Sequence, residues 1–231
     1  MNFRSSAGAI WLRSLARRLG LTRVVARLIS SGRYEAAFDD ALFATLRPGD
    51  IVWDVGANVG LYTVRFAASV GDAGQVFAFE PVPSTREELR RQTGSLSNVT
   101  IVPVALGNRN AVVDMRAGGD EKGATSRIVE SVGASALTAE MSTADRLFAD
   151  GGARAPNVVK IDTEGFELEV LEGMTNLLAG PSMRAIFVEV HFGILAERGL
   201  ANAPATIEAL LSSAGFATKW VDMSHIAAVR E

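Results

Sequence analysis

Asp162 and Glu164, in the run Lys160-Ile161-Asp162-Thr163-Glu164-Gly165, and His191, after the apolar run Ala185 to Val190, offer the most chemistry in this chain. Two carboxylates one residue apart can orient an acceptor hydroxyl, accept its proton, or hold a hard divalent ion. The alternative is local: Asp162 or Thr163 caps a helix starting near Gly165, and Glu164 sits at the positive end of its dipole. His191 could be a general base oriented by Glu189, two residues earlier on the same strand face, or an imidazole bonded to backbone. No metal is assigned: a divalent cation could bind here, but two carboxylates without further clear ligands do not favour one. Glu167 and Glu169 read as solvated or structural, and His225 as structural.

A second group of residues lies in Asp54-Val55-Gly56-Ala57-Asn58-Val59-Gly60. A dinucleotide fingerprint needs a middle glycine so that backbone can approach a pyrophosphate. Here Asn58 takes that place, and Asp54 puts a carboxylate where a polyphosphate would meet like charge. The turn therefore suits a cation without phosphate, and S-adenosylmethionine, with its ammonium and sulfonium, fits. Gly56 and Gly60 let the backbone pass close to the ligand. Glu80 stands about 20 residues further on, the spacing of an acid that accepts from both ribose hydroxyls. Ordinary roles remain open for both acids, Asp54 as a helix-approach cap and Glu80 as a solvated strand end. Ala105, Leu106 and Gly107 could border the adenine or form a plain turn.

Such residues need a frame that gathers them. After Arg47-Pro48-Gly49-Asp50, apolar runs alternate with amphipathic stretches. Strands are expected at Ile51 to Val55, Gln75 to Glu80, Val99 to Val104, Val158 to Asp162, Ala185 to Val190 and Phe216 to Val221, with Ile226 to Val229 returning antiparallel. Helices are expected at Gly60 to Val70, Ser84 to Thr93, Phe166 to Leu178 and Ala205 to Ala214, with a short one at Asp145 to Ala149. From Ala111 to Ala139 the pattern is short, Gly-rich and strand-like, anchored by Val112, Met115 and Ile128. The expected fold class is α/β: a Rossmann-like, seven-stranded, mostly parallel sheet with helices on both faces, binding ligands at the carboxyl ends of its strands.

The chain has 231 residues, 48% of them apolar, enough for one well-buried core. A net charge of -3 argues against a nucleic-acid partner. The absence of cysteine excludes disulfides and thiolate chemistry, and a cytoplasmic location is expected. The first thirty-three residues carry Arg4, Arg13, Arg17, Arg18, Arg23, Arg27 and Arg33 and no acid. Trp11, Leu15, Leu19, Val25 and Ile29 recur among them at roughly helical spacing. Residues 1–47 are thus read as a basic amphipathic helical arm that packs on its own domain, residues 48–231, or meets a membrane surface or carrier protein.

Four segments resemble the FkbM-type methyltransferases: VWDVGANVGLYT at Val52 to Thr63, FAFEPVP at Phe77 to Pro83, NVTIVPVALG at Asn98 to Gly107, and VVKIDTEGFELEVLEGM at Val158 to Met174. The last is the specific one. The resemblance covers about Pro48 to His191 and implies a seven-stranded Rossmann-like fold. It further implies S-adenosylmethionine as donor and methyl transfer to a hydroxyl of a small-molecule acceptor, a sugar or natural-product scaffold. Gly123-Ala124-Thr125-Ser126 lies where such an enzyme would place an acceptor loop. The competing readings are a non-catalytic methyltransferase-like binding module and an NAD-dependent oxidoreductase. Nothing in the sequence sets the oligomeric state.

Overall fold

The computed structural model describes residues 34–116, 127–129 and 137–230. Residues 1–33 of the basic arm and Gly123–Ser126 lie outside them. The chain divides into two units, residues 1–40 and 41–231; helix α1 (Tyr34–Thr45) begins in the first.

The second unit follows the alternation of the sequence. In chain order its elements open with β1 (Ile51–Val55), α2 (Leu61–Val70), β2 (Gln75–Phe79), α3 (Pro83–Thr93), β3 (Val99–Val102) and β4 (Ala105–Leu106). The excursion that follows supplies β5 (Ala111–Arg116), β6 (Arg127–Val129), β7 (Leu137–Ser142) and α4 (Ala144–Ala149). Then come β8 (Val158–Ile161), α5 (Glu167–Glu172), α6 (Thr175–Ala179), β9 (Ala185–Glu189), α7 (Phe192–Glu197), α8 (Ala203–Ser213), β10 (Ala217–Trp220) and β11 (His225–Val229).

Seven strands form the main sheet in the order β10-β11-β9-β8-β1-β2-β3. β1, β2, β3, β8 and β9 run parallel, while β11 lies antiparallel between β9 and β10. The central strands are apolar nearly throughout because helices cover both faces. Trp53, Phe79, Ile161 and Ile186 are buried in one cluster, with the Trp53 and Phe79 rings 4.9 Å apart. The strand order reverses between β1 and β8, so their carboxyl ends open the crevice in which a ligand belongs.

Three departures from the sequence pattern have physical causes. The third strand stops at Val102 because Pro103 has no N–H to continue the ladder; Ala105–Leu106 joins a second sheet instead. That sheet, in the order β4-β7-β5-β6, is made from the Gly-rich excursion. The helix expected over Phe166 to Leu178 is two, α5 and α6, broken at Gly173. A Cβ there would stand 2.0 Å from the Gly107 carbonyl oxygen, so the chain passes only as glycine. Asp145 restarts the helix by accepting from the N–H groups of Asn176 and Leu177. Among the described residues no helix is long and apolar enough to cross a membrane.

Candidate functional site

The carboxyl ends of β8, β1 and β2, with Val104 and Ala105 beyond β3, line a cleft of about 710 Å³, its open mouth included. The turn after β1 forms one wall. Gly56, Asn58 and Gly60 have φ of 79°, 52° and 97°, the left-handed region that favours glycine and tolerates asparagine. Gly56 is also a close approach: a Cβ there would lie 1.9 Å from the Asp162 carbonyl oxygen, so the turn after β1 presses on the end of β8. Gly60 does not line the cleft; a Cβ there would meet Leu89 of α3 at 2.7 Å.

The backbone N–H groups of this turn are already committed. Gly56 and Ala57 both donate to the Phe79 carbonyl, and Gly60 donates to the Ala57 carbonyl. Asn58 donates to Glu80 Oε2 at 3.0 Å, and Val59 to the Asn58 side-chain oxygen at 2.7 Å. A phosphate-binding turn presents free N–H groups to its anion; Gly56 to Gly60 have none to present.

Glu80 is 6% exposed and lines the cleft. Its second oxygen accepts from the Val82 N–H at 2.8 Å. A carboxylate has about four acceptor positions, so lone pairs remain on both oxygens after these two bonds. Burial pushes the Glu80 pKa up to about 7, against the lowering effect of the Val82 and Asn58 N–H groups and Arg86. Arg86 also donates to the carbonyls of Glu80 and Pro81, which fixes the loop leading into α3.

Asp54 lies below the residues that line the cleft. It is fully buried, accepts from the Thr63 hydroxyl at 2.6 Å, and lies 3.7 Å from Lys160 Nζ. Its carboxylate lies beneath the turn, and its Oδ1 makes no hydrogen bond among the described residues. Burial raises its pKa, although Lys160 and Thr63 pull it down. Lys160 is the buried partner that sequence reasoning missed. A lysine inside the buried apolar run of β8 was itself the signal, because a buried ammonium needs partners. It bridges Asp54 to Asp162, whose Oδ2 is 3.2 Å away.

The structure brings Asp162, Glu164 and His191 together. His191 Nε2 stands 3.8 Å from Asp162 Oδ1 and 3.4 Å from Glu164 Oε2. Neither Asp162 nor Thr163 caps a helix: α5 begins at Glu167 with no side-chain cap, and the Thr163 hydroxyl has no hydrogen-bond partner among the described residues. Glu164 is held at φ 52°, and with Gly165 it turns the chain so that both carboxylates face the cleft.

The orienter of His191 is a correction. Glu189 lies 3.9 Å from His191 Nε2 and reaches His225 Nε2 at 3.5 Å. Glu167, fully buried, holds His191 Nδ1 at 2.8 Å and also accepts from the Gly165 N–H. Glu167 and Glu169 are thus not solvated; Glu169 pairs with Arg198. Their burial follows from the tight Glu164-Gly165 turn, which rotates the start of α5 into the protein. His225 is buried and anchored by Asp222.

These contacts divide the charge states. Burial lowers the His191 pKa, but the Glu167 hydrogen bond and the charges of Glu167, Glu164 and Asp162 outweigh it and push it up to about 9. Burial raises Asp162, and Lys160 and His191 more than reverse that, leaving it low. Glu164 is raised, first by burial, with Asp162, Glu189 and Glu167 adding to it against His191. The ligand atoms of Asp162, Glu164 and His191 all lie within 4.8 Å of one another, close enough to share a metal ion. A metal would have to displace the proton that His191 carries near neutral pH.

Residues 54–217 match the model of the methyltransferase FkbM domain. A hexuronic acid methyltransferase, AglP of Haloferax volcanii, is 33% identical over 177 residues, covering 74% of this chain and 64% of that protein. The AMB antimetabolite synthetase AmbE of Pseudomonas aeruginosa is 23% identical, covering 68% of this chain and 9% of its own length. The chain thus spans less than two thirds of either relative. Among solved structures, methyltransferase FkbM of Methylobacillus flagellatus superposes with a TM-score of 0.52 at 14% identity, covering 81% of this chain and 49% of that one. A Streptococcus mutans protein in complex with SAH gives 0.52 at 10% identity, covering 85% and 97%. Both show the fold.

Proposed function

This chain belongs to the FkbM methyltransferase family, and from that premise we propose that it transfers a methyl group from S-adenosylmethionine to a hydroxyl of a sugar or sugar-bearing natural product. The observation that carries the reading is the turn from Gly56 to Gly60, whose five N–H groups are all spent inside the protein. It can border a nucleoside but has nothing for a pyrophosphate, which argues against the nicotinamide alternative. Two hydroxyls that line the cleft and have no hydrogen-bond partner among the described residues, on Thr85 and Thr163, fit a polar ligand there.

In this reading Glu80 accepts from the ribose diol with the lone pairs that Asn58 and Val82 leave unused. Bound there, S-adenosylmethionine would supply an electrophilic methyl group on its sulfonium to the acceptor oxygen, leaving the S–C electron pair on sulfur. Asp162, kept ionised by Lys160, orients the acceptor hydroxyl. Glu164 takes its proton, because a carboxyl with a raised pKa is the stronger base of the two. His191 is already protonated near neutral pH and serves as a fixed positive charge between the carboxylates. The reading assigns no metal to the reaction.

The sugar acceptor is supported by the name of the Haloferax volcanii relative. The test is incubation of the purified chain with S-adenosylmethionine and a panel of hexuronosides, hexosides and non-sugar alcohols. A mass gain of one CH2 on a sugar supports the reading. Transfer confined to non-sugar alcohols overturns the acceptor class, and cofactor binding without transfer to any of them favours a non-catalytic module.

A further inference from the structure

Helix α7 meets the segment that carries the reacting carboxylates at three levels. At its N-cap, His191 stands against Asp162 and Glu164. Further along, Ile194 fills the space beside Gly165: a Cβ added to Gly165 would lie 2.4 Å from the Ile194 side chain. At its C-cap, Arg198 donates through Nη1 to the Gly165 carbonyl and through Nη2 to Glu169 Oε1. The same guanidinium lies over the Phe166 ring, 4.1 Å from its centroid. One side chain thus grips Gly165, Phe166 and Glu169.

The turn it grips is one that a residue with a Cβ seldom adopts. Glu164 and Gly165 have φ of 52° and 95°, and Glu164 lacks the freedom that glycine has there. Such a conformation persists only where its surroundings hold it. Glu167 accepts from the Gly165 N–H at 2.7 Å, and Arg198 holds the Gly165 carbonyl. The peptide planes on both sides of Gly165 are therefore fixed, one by an acid of α5 and the other by the cation that ends α7. The Arg198 side chain is only 15% exposed. Its planar fork serves a carbonyl and a carboxylate at once, a geometry that a lysine ammonium does not reproduce.

Glu164 owes its place in the site to this turn. It lines the cleft with Asp162, and its Oε2 stands 3.4 Å from His191 Nε2. A misplacement of about 1 Å in a reacting group can cost on the order of 100-fold in rate. A residue that fixes the turn thus bears on turnover without touching the substrate.

We propose that Arg198 is a positioning residue of the reaction, acting through the Gly165 carbonyl to hold Glu164 in the turn that aims its carboxylate into the cleft. The inference rests on the methyl-transfer reading and extends it to a residue that does not line the cleft.

The test uses two variants. Arg198→Met keeps the stem and removes the guanidinium; Arg198→Lys keeps a charge that can serve one acceptor but not the pair. With an acceptor that the native chain methylates, Arg198→Met should lower turnover about 10- to 100-fold and Arg198→Lys by less, with S-adenosylhomocysteine affinity within about threefold. Combination with Glu164→Gln separates positioning from general stabilisation. If Arg198 acts through Glu164, its loss costs at most about a further twofold in the Glu164→Gln chain. The same factor lost in both backgrounds would make Arg198 an ordinary structural contact. Should Arg198→Met fail to fold, Arg198→Lys carries the same cycle. Crystal structures of the native chain and the variant decide the point without turnover: in Arg198→Met, Glu164 should leave its left-handed turn and its approach to His191 should be lost. A variant that keeps both would overturn the proposal. Failure of the native chain to methylate any acceptor would count against the methyl-transfer reading, and the crystallographic comparison would still decide whether Arg198 places Glu164.

Discussion

The two halves of the cleft are built differently. Around Gly56 to Glu80 the site comes from one turn and the next strand end, and most of its contacts join residues within about one β-α-β unit. Around Asp162 to His191 it comes from β8, α5, β9 and the β10–β11 turn, which meet only after the sheet is assembled. The first half holds one carboxyl with both oxygens bonded to backbone N–H groups. The second holds six acids, Asp162, Glu164, Glu167, Glu189, Asp222 and the buried Asp54, around Lys160, His191 and His225. Under the proposed function the contrast is a division of labour, with a binding half and a charged reacting half that touch where Gly56 presses on the Asp162 carbonyl.

That division can be broken by mutation. Glu164→Gln carries the largest expected effect. Turnover should fall about 100-fold or more, the usual range for a lost general base, while S-adenosylhomocysteine affinity stays within about twofold. Equal losses in turnover and affinity would move Glu164 to the binding half.

Glu80→Ala should do the reverse, weakening S-adenosylhomocysteine by about 10- to 100-fold, as expected for lost hydrogen bonds to a charged group. Stability should fall as well, since the Asn58 and Val82 N–H groups lose their acceptor. A titration that finds native affinity would show that the ribose lies elsewhere.

The same residue gives the binding half a pH signature. Glu80 titrates at about 7, and ribose hydroxyls donate to the ionised form. Cofactor affinity should be flat above about pH 7 and fall about tenfold per pH unit below it, with proton release on binding. Calorimetry in buffers of different ionisation heat reads that release. A profile flat from pH 5 to 8 would rule out the ionised Glu80 as ligand.

His191 sharpens the other half. Its pKa of about 9 exceeds the unfolded value of 6.5, so its ion pairs stabilise the fold fully below about pH 6.5. That contribution is lost as pH rises through about 9. Glu167→Gln removes the nearest charge and should bring the imidazole pKa down by about one unit or more, followed by NMR titration of His191. Glu189→Gln should move it least, since Glu189 is the more distant partner. A larger shift from Glu189→Gln would restore it as the orienter.

The sequence made the main sheet and the binding half legible for a common reason: period and turn chemistry are local signals. Gly56, Asn58 and Gly60 announced a tight turn, and Glu80 followed at the spacing that the next strand imposes. Asp162, Glu164 and His191 were visible as strand-end residues, but their partners were not. Glu167 looked like a helix-surface acid until the turn at Glu164 and Gly165, at φ 52° and 95°, rotated it inward. The partners of Asp54, Thr63 and Lys160, were hidden because strand position alone does not tell which way a carboxylate bonds once a buried lysine is nearby. The second sheet was blurred because its strands are short, and β4 joins it only after Pro103 ends β3.

The most direct test of the central claim is calorimetric titration of the folded chain with S-adenosylhomocysteine and, separately, with NADH. The account predicts micromolar binding of S-adenosylhomocysteine and no heat from NADH, because the turn from Gly56 to Gly60 has no N–H left for a pyrophosphate. Binding of NADH without S-adenosylhomocysteine would contradict it.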